Sequence, residues 1–268
     1  MPNPKSRRTA HRNLTAALLT TTMSLAAFGA PLVLQLVPGG HSLLFAAQPD
    51  HWAAVKAQMD AASAKFQSAQ ADMRQEIFTK AVSDTETQNG QIYFLHKNGA
   101  TQMGLKLLPA DAAAGAAPAQ VVEFKDGRLR VFNPPNHVDE FNATGKNQAT
   151  AESLLTLGFG GRGSDIEKNW TVTDQGAEQM NDGSKNVAVE KLDLVSKDQN
   201  IKNNYSHVTI WVDPARDVSL KQTLYMASGG VTTGDTRTAY YTNIRMNANV
   251  DTAPFAIKCK GACTVVPH

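Results

Sequence analysis

The chain has 268 residues, room for one large domain or two small ones. Its 42% hydrophobic and 19% charged residues supply enough apolar material for a core, which excludes wholesale disorder, and 12 Pro and 19 Gly without a fixed period exclude a collagen-like chain. Lys and Arg total 26 against 24 Asp and Glu, so no basic domain that grips nucleic acid is expected.

All the excess charge lies at the N-terminus. Residues 1–47 carry Lys5, Arg7, Arg8 and Arg12 and no acidic residue, leaving 22 basic against 24 acidic residues in 48–268. Lys5 to Arg12 is a positive segment, Leu14 to Val37 has no charged residue, and small residues follow at Ala46 and Ala47. That order is the pattern of a secretory signal peptide. Cleavage is expected near Ala47, with Gly29 or Ala30 as a second choice. An uncleaved anchor over 14–37 is the competing reading, since about 20 apolar residues span a bilayer. Thr20, Thr21, Thr22 and Pro31 weaken it. Ser6-Arg7-Arg8 is a poor fit to a twin-arginine signal. No Cys stands near the cleavage region, so no lipid-modified N-terminal Cys is expected. Either way, 48–268 is expected outside the cytoplasm.

From Pro49 to Ala81, Trp52, Val55, Met59, Ala62, Phe66, Ala69 and Met73 recur at three- and four-residue steps, which predicts one long helix capped by Asp50. The period then changes to two. Gln91 to Lys97 reads as a strand, Asn98-Gly99 as a hairpin turn, and Thr101 to Leu108 as the returning strand. Pro109 to Ala119, rich in Ala, Gly and Pro, reads as a loop. Ala119 to Lys125, the Asp126-Gly127 turn and Arg128 to Asn133 form a second hairpin. Pro134-Pro135 breaks the chain before a short strand, His137 to Asn142.

Gln148 to Phe159 turns helical around Ala151, Leu154, Leu155 and Leu157, and a short helical piece follows at Ser164 to Asn169. Strands resume at Trp170–Asp174, Asn186–Val195, Ser206–Asp213, Ser219–Ala227 and Thr236–Asn247, with Ile257 closing the sheet. Short hairpins without βαβ alternation imply an antiparallel α+β fold with the helices together on one face.

Motifs for chemistry are few. Gly158-Phe159-Gly160-Gly161-Arg162-Gly163 matches GxGxxG, but it follows a helix and leads towards strands, the reverse of the dinucleotide context. There is no GxSxG, HExxH, paired CxxC or P-loop. His96, His137 and His207 fall in predicted strands without acidic residues at metal-ligand spacing. Asp213-Pro214 reads as a turn. No enzyme activity, metal or cofactor is therefore expected. Cys259 and Cys263 are the two cysteines, and a small disulfide loop is expected in preference to a reduced pair or a zinc site.

The strands are unusually well supplied with apolar side chains. Each alone is expected to fill the core. Together they admit a second reading: if the sheet curls too widely for its side chains to meet, the helices only lid the space and a greasy cavity remains.

Several segments, in order, resemble the LolA family of periplasmic lipoprotein carriers. They are a presequence before a long helix with Phe66 to Phe78 at its end, Gly90-Gln-Ile-Tyr-Phe-Leu, Asp126-Gly127-Arg-Leu-Arg-Val-Phe-Asn-Pro134, Ala151-Glu-Ser-Leu-Leu-Thr-Leu157, Ile210-Trp-Val-Asp213, and Asn243-Ile-Arg-Met-Asn247 followed by Phe255. The resemblance covers roughly 50–257 and implies an antiparallel β half-barrel lidded by helices. It also implies a monomer, with 1–47 a signal peptide and 48–268 the binding domain. Such a carrier would hold lipoprotein acyl chains or lipid in its cavity and move them towards the outer membrane, with an inner-membrane releasing complex and an outer-membrane acceptor as partners. The cavity candidates are Phe94, Met103, Leu105, Leu107, Phe124, Leu129, Val131, Leu154, Leu155, Phe159, Ile210, Leu224 and Met226. The family's lid-latching arginine is missing, because Lys97-Asn98-Gly99 stands where Arg-Pro is usual. Other LolA-like proteins are receptors or sensors, and a membrane-anchored or soluble sensor is the alternative.

Overall fold

A computed structural model describes residues 51–97, 100–109, 112, 113, 115–142, 152 and 154–268. The presequence, the Asn98-Gly99 turn and most of 143–153 lie outside the described residues.

Helix α1 (His51–Ser63) forms because Trp52, Val55 and Met59 put one apolar stripe on the sheet. It ends well before Ala81. The rest of the predicted long helix is strand β1 (Ser68–Thr79). From Ser68 onward buried Ala69, Ala71 and Met73 alternate with Gln70, Asp72 and Arg74, a period of two that the coincident three- and four-residue spacing hid. Ile77, Phe78 and Thr79 then favour a strand on side-chain grounds.

Strand β2 (Asp84–Lys97) starts seven residues earlier than the sequence pattern indicates, because its polar first half pairs with β1 from Thr79↔Asp84 onward. Then come β3 (Ala100–Leu107), β4 (Gln120–Lys125), β5 (Arg128–Asn133) and β6 (His137–Asn142). The β4–β5 turn has positive φ at both Asp126 (52°) and Gly127 (71°), the twist-matched geometry that Asp-Gly supplies. Glu152, Leu154 and Leu155 are helical and lead into the glycine loop. Helix α2 (Gly163–Asn169) precedes β7 (Trp170–Asn181) and β8 (Asn186–Ser196). Helix α3 (Gln199–Asn204), absent from the sequence expectations, is capped by Asp198, whose carboxylate accepts from the Asn200 and Ile201 N–H groups. Strands β9 (Tyr205–Asp213), β10 (Val218–Ser228) and β11 (Val231–Met246) follow.

The last strand is not at Ile257. It is β12 (Thr264–Pro267), which pairs parallel with β6, while Ile257 packs on the Val121, Phe132 and Val138 cluster. Pairing β12 past the disulfide loop leaves Ile257 as a packing residue of the tail. The strands form one sheet in the order β12-β6-β5-β4-β3-β2-β1-β11-β10-β9-β8-β7. Its edges, β12 and β7, are not joined, so the sheet is open.

The inner face carries the helices. Trp52, Val55 and Met59 of α1, Ile166 of α2 and Ile201 of α3 bury Leu192, Leu194, Val208 and Ile210. Gly163 is where α1 and α2 come closest: a Cβ there would lie 3.0 Å from Lys56. Asp60 of α1 accepts from the Ser164 N–H at 3.0 Å, and Lys56 Nζ meets Glu167 Oε2 at 2.6 Å. The C-terminal tail covers the opposite face, with Phe255 edge-on to Tyr93 at 4.8 Å. Cys259 and Cys263 are bonded, with Cα atoms 5.4 Å apart, and close a loop in that tail.

Candidate functional site: an apolar hollow on the inner face

The inner side chains of neighbouring strands fall in register. Phe94 faces Met103, Met103 faces Phe124, and Phe124 faces Leu129. One row inward, Ile92, Leu105, Val122 and Val131 repeat the arrangement. These residues do not close on one another. A hollow of about 430 Å³ remains, bordered by strands β1 to β5 and β9 to β11 and by Leu154, Leu155 and Leu157. Seven strand steps separate β5 from β9 in the sheet order, and at roughly 4.8 Å per step a flat sheet would hold them about 34 Å apart. Val131 of β5 and Val208 of β9 nevertheless border one hollow. The sheet is therefore strongly curled, with its inner face as the wall.

Of the residues singled out in the sequence, Phe94, Met103, Leu105, Leu129, Val131, Leu154, Leu155 and Leu224 border this space. Five others do not. Phe124 is fully buried between its cross-strand partners Met103 and Leu129. Phe159 is a plug: it stacks on Phe94 at 4.2 Å and stands edge-on to Tyr241 at 4.9 Å. Ile210 is consumed by the packing under α1. Leu107 covers Gly90, its cross-strand partner. Met226 sits past an irregularity of β10, opposite Tyr205. Strand alternation gives the face of a residue but not its distance from the curl, and these five share the right face or its edge without reaching the hollow.

Met73, Val122, Val208 and Tyr241 also border it and are not among the cavity candidates drawn from the sequence. Met73 was hidden inside the predicted long helix. The Gln70, Asp72, Arg74 alternation was the signal that could have exposed it.

The glycine loop holds the plug. Gly160 has φ of 71°, and a Cβ there would lie 2.4 Å from the Phe66 ring. Its N–H donates to Asp217 O at 3.0 Å, and the Ser63 hydroxyl donates to its carbonyl at 2.8 Å. The GxGxxG spacing here serves a tight turn against the sheet.

Polar groups also border the hollow: Gln75, Gln222 and the exposed Arg237 on β1, β10 and β11, and Gln120 on β4. The Tyr241 hydroxyl donates to Gln222 Oε1 at 3.0 Å, while Gln222 Nε2 donates to the Leu157 carbonyl. Burial pushes the Tyr241 hydroxyl well above the ordinary tyrosine range, so it stays protonated. Asp213 caps the β9–β10 turn: its carboxylate accepts from the Ala215 N–H at 3.0 Å and pairs with Arg216 Nε at 2.7 Å. Nothing in this wall arranges a nucleophile beside a base. What the arrangement can do is shelter an apolar chain with a polar group at its end.

An open, curled antiparallel sheet with helices on its inner face and an apolar hollow between them is the LolA-like half-barrel arrangement. No family model matches the chain. No curated protein matches it in sequence. Solved structures with a similar chain trace include a LolA superfamily protein from Nitrosomonas europaea, at 12% identity and a TM-score of 0.35 over 76% of this chain and 97% of that one. A protein described as a candidate outer membrane lipoprotein-sorting domain from Vibrio parahaemolyticus gives 12% identity and a TM-score of 0.41 over 75% and 94%. The Pseudomonas aeruginosa MucA/MucB complex gives 13% and 0.41 over 78% and 62%. Among the described residues, no helix is long and apolar enough to cross a membrane.

Proposed function

We propose that the chain is an exported, monomeric carrier that shelters the acyl chains of lipidated proteins or lipids in the inner hollow and moves them through the periplasm towards the outer membrane. Residues 1–47 act as a cleaved signal and 48–268 as the carrier domain. The observation that carries this reading is the apolar hollow of about 430 Å³, within the roughly 300–1,000 Å³ usual for small-molecule sites. Affinity comes from burial, at roughly 0.8 kcal/mol per CH₂. No covalent step and no cofactor are needed. Gln75, Gln222 and Arg237 suit the ester and headgroup end of the cargo. Release to an inner-membrane or outer-membrane partner requires the Leu154–Leu157 segment to move, because it borders the same space.

The test is uptake of a fluorescent fatty-acyl probe by detergent-stripped protein, with native mass spectrometry of the gently extracted chain. The expected results are saturable uptake and co-purifying acyl mass. A stripped, folded protein that takes up no probe overturns the reading. N-terminal sequencing of the exported chain should begin near residue 48; an intact presequence would make it an anchored sensor and end the shuttle.

A further inference from the structure

On the inner face of β8, Glu190 continues the row of Leu192 and Leu194. The period of the strand calls for an apolar side chain there, yet Glu190 is a carboxylate with 4% exposure. Its Oε1 is buried without a hydrogen-bond partner. An isolated buried carboxylate oxygen is costly, so something should face it. Two side chains do. The β7–β8 ladder is irregular between Asp174 and Ala177, and Gly176, with φ of 89°, turns the chain there. Asp174 pairs with Leu192 in regular register and so lies on the same face, where its carboxylate also accepts from the Gly176 N–H at 2.9 Å, and the irregularity after it sets Ala177 opposite Glu190. Above both stands His51, the first residue of α1. Its Nδ1 lies 2.7 Å from Asp174 Oδ2 and 3.7 Å from Glu190 Oε1.

We propose that His51, Asp174 and Glu190 bind one divalent first-row transition-metal ion. One ligand atom from each lies within 4.8 Å of the others. Donors around a tetrahedral zinc ion at about 2.1 Å lie roughly 3.4 Å from one another, so the observed 2.7 and 3.7 Å straddle the required spacing. One imidazole nitrogen and two carboxylates suit Zn²⁺ or its neighbours; Ca²⁺ takes six to eight oxygens. The His51 side chain is 59% exposed, so water can reach the ion and complete the shell. The ion would supply the missing partner of Glu190 and pin the first turn of α1 to the β7–β8 pair. This site is independent of the hollow: none of its three residues borders that space.

The test uses the full chain, stripped with a chelator and titrated with ZnCl₂ or MgCl₂ by calorimetry and by thermal melting. The expected results are one Zn²⁺ per chain, a raised melting temperature, and no comparable effect of Mg²⁺. Glu190→Gln, Asp174→Asn and His51→Ala should each weaken Zn²⁺ binding tenfold or more. If Glu190→Gln fails to fold, His51→Ala carries the test, since that side chain is largely exposed. Absence of saturable Zn²⁺ binding overturns the proposal. So does unchanged affinity in a folded His51→Ala chain, which would place the metal on other histidines. An equal shift with Mg²⁺ would mean simple screening of an acidic pair and would overturn it too.

Discussion

Two buried aspartates near the β-turns of the second half respond to pH in opposite directions. Asp217 is fully buried, and neither carboxylate oxygen has a hydrogen-bond partner. Burial first, and the Asp60 charge second, push its carboxyl up to about 8. The folded chain thus holds a proton that the unfolded chain releases near its ordinary value of 3.8. Stability contributed this way is complete below that value and falls as pH rises towards 8, by at most about 1.4 kcal/mol per pH unit. Asp217→Asn should be the more stable chain at pH 8 and should lose most of this slope. Urea denaturation at several pH values from 4 to 9 checks it; identical slopes for both chains would show that Asp217 is ionised in the fold. Asp182, at the β7–β8 turn, is the reverse. The Lys185 N–H, the Ser184 hydroxyl and the Ser184 N–H hold it at about 2. Its contribution is present above the ordinary carboxylate range and is lost as pH falls towards 2. Asp182→Asn should therefore flatten the acid limb of the same curve and leave the alkaline limb unchanged.

At the scale of elements, curvature separates neighbours that alternation treats alike. Leu105 and Phe124 are both inner-face residues of adjacent strands, yet Leu105 borders the hollow and Phe124 is fully enclosed. A charge at Leu105 can reach the hollow, so Leu105→Asp should fold and lose acyl-probe uptake. A charge at Phe124 has no solvent and no partner, so Phe124→Asp should unfold the chain, at a cost of several kcal/mol. Circular dichroism with probe titration distinguishes them; a folded Phe124→Asp chain would mean the core there is looser than the packing indicates. The same contrast explains which elements were readable beforehand. Strands β4 and β5 have clean alternation around Asp126-Gly127, and both hairpin arms are found where the pattern puts them. Strand β1 was not readable, because Phe66, Ala69 and Met73 satisfy helical spacing as well, and only pairing with β2 and β11 on both sides makes the strand preferable. Helix α3 is a six-residue turn whose stability comes from Asp198 and from burying Ile201, neither of which makes a periodic pattern.

Across the whole molecule, the sheet is covered on its inner face by helices and on part of its outer face by the tail. Cys259 and Cys263 lie four residues apart in that tail, and Cys259 packs on Val121, Phe132 and Val138, the face of β4 to β6 opposite the hollow-bordering Val122 and Val131. A loop this short removes little chain entropy, about 2 kcal/mol. Reduction should lower the melting temperature modestly and leave acyl-probe affinity unchanged, measured on the same sample with and without reductant. Loss of binding on reduction would instead tie the tail to the hollow.

The amino-acid order alone determined the β2–β3 and β4–β5 hairpins, the antiparallel class and the apolar wealth of the strands. Each of these depends on residues close in the chain, where turn chemistry and the two-residue period act directly. Only the tertiary structure decided which inner residues border the hollow, because that depends on how far eight strands curl around a common space. It alone brought His51 beside Asp174 and Glu190, since those residues are separated by 123 positions or more from the helix that meets them. Long-range pairing and curvature leave no local trace in the chain, and the parts of the site that depend on them are visible only once the open sheet is curled around its helices.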